Sequence, residues 1–140
     1  MDPIFSTTYW DVCLSEHQTY FGRLVIVSRE KRESLPSLTD KEQKDLFSLF
    51  GKLESFYKKE YGATMFNYSC LMNHAYRDGE TPRVHWHFRP RYKASQEIDG
   101  AKITDPNFGS HYIPTLFGQK DTYPAKAKDR LSERLKSAFL

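Results

Sequence analysis

The chain has 140 residues, of which 39% are hydrophobic and 28% charged, an ordinary composition for a folded domain with one core. Its formal charge of +3 is too weak to argue for nucleic acid, although it suits a small anionic ligand. Two cysteines (Cys13 and Cys70) make no disulfide framework, "MDPIFSTTYW" has neither the basic start nor the apolar stretch of a secretion signal, and no apolar run nears the roughly 20 residues that span a bilayer; no membrane association and a cytoplasmic setting are expected.

Residues 7 to 14, "TTYWDVCL", alternate Trp10, Val12 and Leu14 with Tyr9, Asp11 and Cys13, which predicts a half-buried strand. After the polar "SEHQ", residues 20 to 28, "YFGRLVIVS", are aromatic and β-branched and predict a second, more buried strand. The gap between them is short, so they are expected to pair antiparallel. A helix follows. Thr39 and Glu42 have the spacing of a capping box, Leu46, Leu49, Phe50, Leu53, Phe56 and Tyr57 recur at helical spacing, and Gly62 is placed to end it. Gly51 weakens this helix by about 1 kcal/mol, which suggests that something packs close there. Residues 63 to 73 predict a strand with Asn67, Ser69, Leu71 and Asn73 on one face and Phe66, Tyr68, Cys70 and Met72 on the other. "HAYRDGETP" predicts a turn at Asp78-Gly79, and residues 83 to 91, "RVHWHFRPR", predict another strand. Residues 93 to 122, punctuated by Gly, Asp and Pro, read as a long irregular excursion. Residues 123 to 140 read as a C-terminal helix with Pro124 in its first turn and Leu131, Leu135 and Phe139 as its apolar stripe. The order β-β-α-β-β-loop-α predicts a single α+β domain over residues 1–140, with an antiparallel sheet and helices on one side.

The strand at 83 to 91 carries the chemistry. Residues two apart share a face about 6.5–7 Å apart, so Arg83, His85, His87 and Arg89 lie together while Val84, Trp86 and Phe88 point into the core. Crowded cations are unfavourable without an anion, and they hold neighbouring histidines unprotonated. Arginine forks match phosphate oxygens, and a neutral imidazole is a nucleophile. A solvated strand face would show the same alternation with no chemistry attached. Arg89 and Arg91 are expected to face solvent. His85 and His87 could form half of a metal site completed by His74 or His111, but the arginines repel a cation and no metal is expected. The aromatics lie on the opposite face, which favours a core role over stacking on RNA, so nucleic acid is not an expected partner.

"RVHWHFRPR" resembles the His-φ-His-φ-His-φ-φ signature, with φ apolar, of the histidine triad (HIT) hydrolases and transferases. "YFGRLVIVSREKRESLPSLT" is similar to that family's second strand and the loop into its long helix, and "LMNHAYRDGETP" to its Asn-containing strand end and Gly-rich turn. The resemblance covers roughly residues 5 to 92 and implies a HIT-like five-stranded antiparallel sheet with a long helix and a C-terminal helix. It also implies a nucleotide hydrolase or nucleotidyl transferase acting at an α-phosphate through a covalent nucleotidyl-histidine. Dinucleoside polyphosphates and nucleoside phosphoramidates are the implied substrates. Aligned on the "PR" ending, Arg83 takes the first triad position, His85 is the nucleophile, and His87 holds phosphate or the leaving-group oxygen. In a second register His87 would be the nucleophile with Arg89 third; the apolar phase and the "PR" ending favour His85. Asn73 falls where the family contacts phosphate or the leaving group, although a strand-end cap explains it too. Arg23 follows Gly22 where the family often has histidine, and with Arg83 it is an expected phosphate-binding cation. Glu80 and Thr81 sit near the family's polar turn pair and are expected to bind the substrate phosphate, and Ser15 or Glu16 is placed to meet ribose hydroxyls. Two family histidines are arginine here, so a nucleotide-binding protein without catalysis is the alternative. The resemblance further implies a homodimer with an extended sheet and no required cofactor, with Mg²⁺ at most accompanying the substrate. The excursion carrying His111 is a candidate cover for the site.

Overall fold

The computed structural model describes residues 2–111 and 123–140. Its alternating segments pair as β1 (Phe5–Ser6), β2 (Trp10–Leu14), β3 (Leu24–Ser28), β4 (Met65–Ser69) and β5 (His85–Arg91), in the spatial order β1-β2-β3-β5-β4. All four pairings are antiparallel. The long helix α1 (Asp40–Tyr61) and the C-terminal helix α3 (Ala125–Phe139) complete the expected α+β arrangement. β5 lies between β3 and β4, so His87 stands opposite Val25 on one side and Ser69 on the other.

Period-two alternation gives the sheet one apolar face. Trp10, Val12, Leu24, Ile26 and Phe88 are all buried on it, together with Leu46, Leu49, Leu53 and Tyr57 of α1. The Tyr57 and Phe88 rings lie 5.4 Å apart, and Trp10 Nε1 donates to the Glu42 carbonyl at 2.9 Å, joining β2 to the first turn of the helix. The capping box forms as expected: Glu42 N donates to Thr39 Oγ1 at 3.2 Å and Thr39 N to Glu42 Oε1 at 2.8 Å. Burial pulls the Glu42 carboxyl upward, but donors from Thr39 and Arg32 outweigh it and leave the pKa below its usual value. Gly62 ends the helix in the left-handed conformation. Gly51 is exposed, and a Cβ there would meet nothing within 4 Å, so the close neighbour expected for it is not found among the described residues. β1 is two residues long, too short to show a period; Phe5 is held by stacking on Phe139 of α3 at 4.6 Å.

Four expectations are corrected. The strand expected over 63 to 73 ends at Ser69, because Met72 takes a left-handed conformation (φ 54) that no strand continues through. "HAYRDG" is then a short helix, α2 (Asn73–Asp78), closed by left-handed Gly79, so the turn expected there is only its final step. The excursion is not wholly irregular: β6 (Gln96–Ile98) and β7 (Ala101–Ile103) form a hairpin. Asp99 and Gly100, both at positive φ, are its two-residue loop, the Asp-Gly signal of a primed turn. Asp99 is paired with Arg134, which ties the hairpin to α3. α3 begins one residue after Pro124, whose carbonyl accepts from Ala127 N at 3.0 Å, so Pro124 caps the helix from outside its first turn. Among the described residues no helix is long and apolar enough to cross a membrane.

Candidate active site

The sheet face turned away from α1 carries Val25, Val27, Asn67, Ser69, His85, His87, Arg89 and Arg91, as alternation requires. Two hydrogen bonds set the state of its histidines. His85 Nδ1 lies 2.8 Å from the Arg83 carbonyl oxygen. A carbonyl only accepts, so Nδ1 carries the proton and Nε2 keeps its lone pair. His87 Nδ1 lies 3.0 Å from Arg23 Nη2. A guanidinium only donates, so here Nδ1 accepts and Nε2 carries the proton. The two rings are 5.2 Å apart and inclined at 81°. They are therefore opposite tautomers side by side: one offers a lone pair, the other a hydrogen-bond donor. Burial, then the charges of Arg23, Arg89, His85 and His74, push the His87 pKa down to about 3.

Arg23 is buried at 6% exposure, and its position is built from the backbone outward. It follows Gly22, whose φ of 91 is open only to glycine at this tight approach. Gln18, fully buried, accepts from Gly22 N at 2.8 Å and donates to the Ser15 and Arg23 carbonyls, both at 2.9 Å. Tyr57 OH donates to the Gly22 carbonyl at 2.7 Å. The segment "SEHQ" reads as a polar loop, and a single glutamine in such a loop carries no pattern that marks it as buried.

Arg89 and Arg91, expected in solvent, are 2% and 0% exposed. Arg89 Nη1 donates to Ser69 Oγ at 3.1 Å. Arg91 pairs with Asp105 (Nε to Oδ2 2.6 Å, Nη2 to Oδ1 3.1 Å) and donates to Asn67 Oδ1, the Ser110 carbonyl and the Asn107 carbonyl, while its guanidinium lies 4.5 Å from the centre of the Tyr20 ring. The correction has a plain cause. Residues 105 to 110 fold back across this end of the face, and a segment that distant in sequence leaves no mark on the strand's own alternation.

The other expected site residues are distributed as follows. Arg83 donates through Nε and Nη2 to the Ser28 carbonyl at 2.9 and 2.7 Å and through Nη2 to the Arg29 carbonyl at 2.9 Å. The cation expected to face phosphate thus uses that edge to bind the end of β3 to β5. Ser15 is buried, with its N–H on the Arg23 carbonyl at 3.1 Å and its Oγ accepting from His17 N at 3.2 Å; Glu16 is exposed. Asn73 opens α2 and is exposed, as are Glu80 and Thr81 in the connection from α2 to β5. His74, on α2, is near enough for its charge to act on His87. His111 is exposed, with its carbonyl accepting from Asn107 Nδ2 at 3.4 Å, and the rest of the proposed cover, residues 112–122, lies outside the described residues. Among the described residues no three His, Cys, Asp or Glu side chains are grouped to hold a metal ion.

No protein-family model and no curated protein matches the chain. Solved structures do. The C. elegans NitFhit protein superposes with a TM-score of 0.52 at 26% identity, over 64% of this chain and 22% of that one, so this chain spans about a fifth of NitFhit. A histidine triad (HIT) protein from Sinorhizobium meliloti 1021 has a TM-score of 0.71 at 20% identity, covering 98% of this chain and 88% of that chain. Plasmodium falciparum diadenosine triphosphate hydrolase, solved in complex with cyclomarin A, has a TM-score of 0.61 at 14% identity, covering 99% and 79%. A five-stranded antiparallel sheet, its helices and these neighbours together make this a HIT-like α+β fold.

Proposed function

We propose that residues 1–140 form one domain that acts as a nucleotide hydrolase or nucleotidyl transferase, cleaving at an α-phosphate through a nucleotidyl intermediate on His85. The observation that carries this reading is the bond from His85 Nδ1–H to the Arg83 carbonyl, which leaves the Nε2 lone pair directed away from the strand's own backbone. His87, with Nδ1 taken by Arg23, has no lone pair left to attack with, which favours His85 over the alternative register. Likeness to a diadenosine triphosphate hydrolase supports the substrate class.

In the first step the Nε2 pair forms a bond to phosphorus and the bridging bond to the leaving group breaks, its electron pair departing with the leaving group. In the second, water or another hydroxyl acceptor attacks phosphorus and gives up its proton to solvent, while the His85–phosphorus bond breaks and its electron pair returns to Nε2. Negative charge gathers on the phosphoryl oxygens in both steps. Arg23, which holds His87 Nδ1 at 3.0 Å, and the Nε2–H of His87 would offset it. Asn73, on α2, would meet phosphate or the leaving group, Glu80 and Thr81, on the connection into β5, the phosphate, and Ser15 or Glu16 the ribose. The scheme draws on no resident metal; Mg²⁺ would arrive with a polyphosphate substrate.

The test uses a dinucleotide labelled in its adenylyl group, with the reaction quenched in alkaline denaturant, which preserves a phosphorus–nitrogen bond. Label should remain on the wild-type protein, and His85→Ala should abolish both labelling and turnover. Full activity in that variant would refute the assignment. The engagement of Arg83 with carbonyls favours a second reading, nucleotide binding without catalysis. Calorimetric binding of AMP with no turnover across a broad substrate panel would establish it.

We also propose a homodimer. β4 is an edge of the sheet, and beside it Phe47, Phe50, Gly51, Glu54, Tyr68 and Trp86 line an open groove of about 410 Å³, with Phe47 71% exposed. A second copy pairing along β4 would extend the sheet and cover that groove. Sedimentation should give a dimer that Phe47→Glu weakens; a wild-type monomer at micromolar concentration would exclude it.

A further inference from the structure

Arg23 does more than neutralise phosphate. Its Nη2–H occupies His87 Nδ1, the ring atom that would have to gain a proton if His87 were to serve as an acid. Among the described residues, the charged groups that bear on His87 work in the same direction. Arg23 stands at the entry to β3, Arg89 and His85 on the same strand, and His74 on α2. Ser69 of β4 stands opposite His87 in register, and its Oγ already accepts from Arg89. Arginine, unlike histidine, cannot hand a proton on. His87 is thereby fixed as a neutral donor of a hydrogen bond.

We infer that this site cleaves phosphoric anhydrides, whose leaving group departs as a phosphate anion, and discriminates against phosphoramidates, whose amine departs only once protonated. The inference rests on His85 as nucleophile, proposed above. When an anhydride is cleaved, the electron pair of the bridging bond stays on a phosphate oxygen. Phosphate monoesters have a second pKa of about 6, so at neutral pH that oxygen leaves without a proton. A hydrogen bond from His87 Nε2–H is sufficient help. When a phosphorus–nitrogen bond is cleaved, the pair stays on nitrogen, and an acid must supply a proton as the bond breaks. Imidazolium at His87 would be that acid. With a pKa pushed down to about 3, only about one molecule in 10⁴ has it at pH 7. A neutral imidazole is too weak an acid to replace it.

Two substrates that share the adenylyl group separate the cases: diadenosine triphosphate and the adenosine 5′-phosphoramidate of a primary alkylamine. Wild-type kcat/KM should favour the anhydride by at least about 100-fold, the lower end of what a positioned general acid contributes. Arg23→His restores a group that can relay a proton, and should narrow that ratio by about tenfold or more. Long-range ¹H–¹⁵N spectra of the wild type give a readout independent of turnover: Nδ1–H at His85 and Nε2–H at His87, with His87 Nδ1 staying unprotonated down to about pH 5. Equal or better cleavage of the phosphoramidate overturns the inference while leaving His85 as nucleophile intact. A His87 ring that protonates near its ordinary value overturns it as well. Cleavage of neither substrate, with the tautomers as described, means that the hydrolase reading has failed and this inference with it.

Discussion

Replacing Asp105 with asparagine tests how the far end of the site face is held. The carboxylate accepts from Arg91 Nε at 2.6 Å and Nη2 at 3.1 Å, and from Tyr92 N at 3.2 Å, with the Arg91 and Asp105 side chains 0% and 1% exposed. Asparagine keeps the shape, but one oxygen becomes an NH₂ facing donors, and the guanidinium loses its counter-charge. Unit charges about 4 Å apart at an effective dielectric of about 20 interact by about 4 kcal/mol. Breaking one side of a buried pair commonly costs about 3–5 kcal/mol, a large part of the roughly 5–15 kcal/mol that holds a domain folded. Asp105→Asn should therefore lower the thermal midpoint by about 10 °C and shift the urea midpoint with little change in slope. Added salt should not reproduce the loss in wild type, because screening acts weakly on a buried pair. The exposed pair Arg77–Asp78 is the control, and Arg77→Ala should leave the midpoint unchanged. A loss below about 1 kcal/mol for Asp105→Asn, the range of surface pairs, would refute the argument that this pair holds residues 105 to 110 over the sheet.

His87 makes a prediction about acid stability. Its folded pKa lies below the ordinary 6.5, so the unfolded chain takes up a proton that the folded chain refuses. Stability must then fall as pH drops below about 6.5. Wild type should lose more stability between about pH 7 and pH 5 than His87→Asn, measured by urea unfolding; equal losses would mean that the imidazole is not shielded as described. At Gly22, an added Cβ would collide with the Tyr57 ring and come within 3.3 Å of Pro90 Cγ, at a φ of 91 that side chains disfavour. Gly22→Ala should destabilise by about 2–4 kcal/mol and lower activity by shifting Arg23; an unchanged melting temperature would contradict the close packing seen there.

What was legible in the residues was local. The capping box at Thr39 and Glu42, the glycine stop at Gly62 and the apolar stripe of α1 specify the helix within a few turns. Alternation in "RVHWHFRPR" placed His85 and His87 on one face and Val84 and Phe88 in the core. The Asp-Gly of the β6–β7 hairpin carried an equally local signal, but its flanking strands of three residues are too short to show a period. α2 was missed because its helical residues are too few to present an apolar face, and Asn73 moved with it from a strand to a helix.

Tertiary structure decided everything that depends on a partner distant along the chain. Alternation states the side from which a side chain leaves its strand; it does not state what covers that side. Arg91 and Arg89 share a face with His87, yet only the return of residues 105 to 110 makes Arg91 a buried ion pair, and only β4 brings Ser69 to Arg89. Likewise, the sequence named two histidines, but their tautomers come from a carbonyl two residues back and from a guanidinium 64 residues away. A proton's position on an imidazole is set by the hydrogen bond its other nitrogen makes, and that bond exists only once β3 lies beside β5.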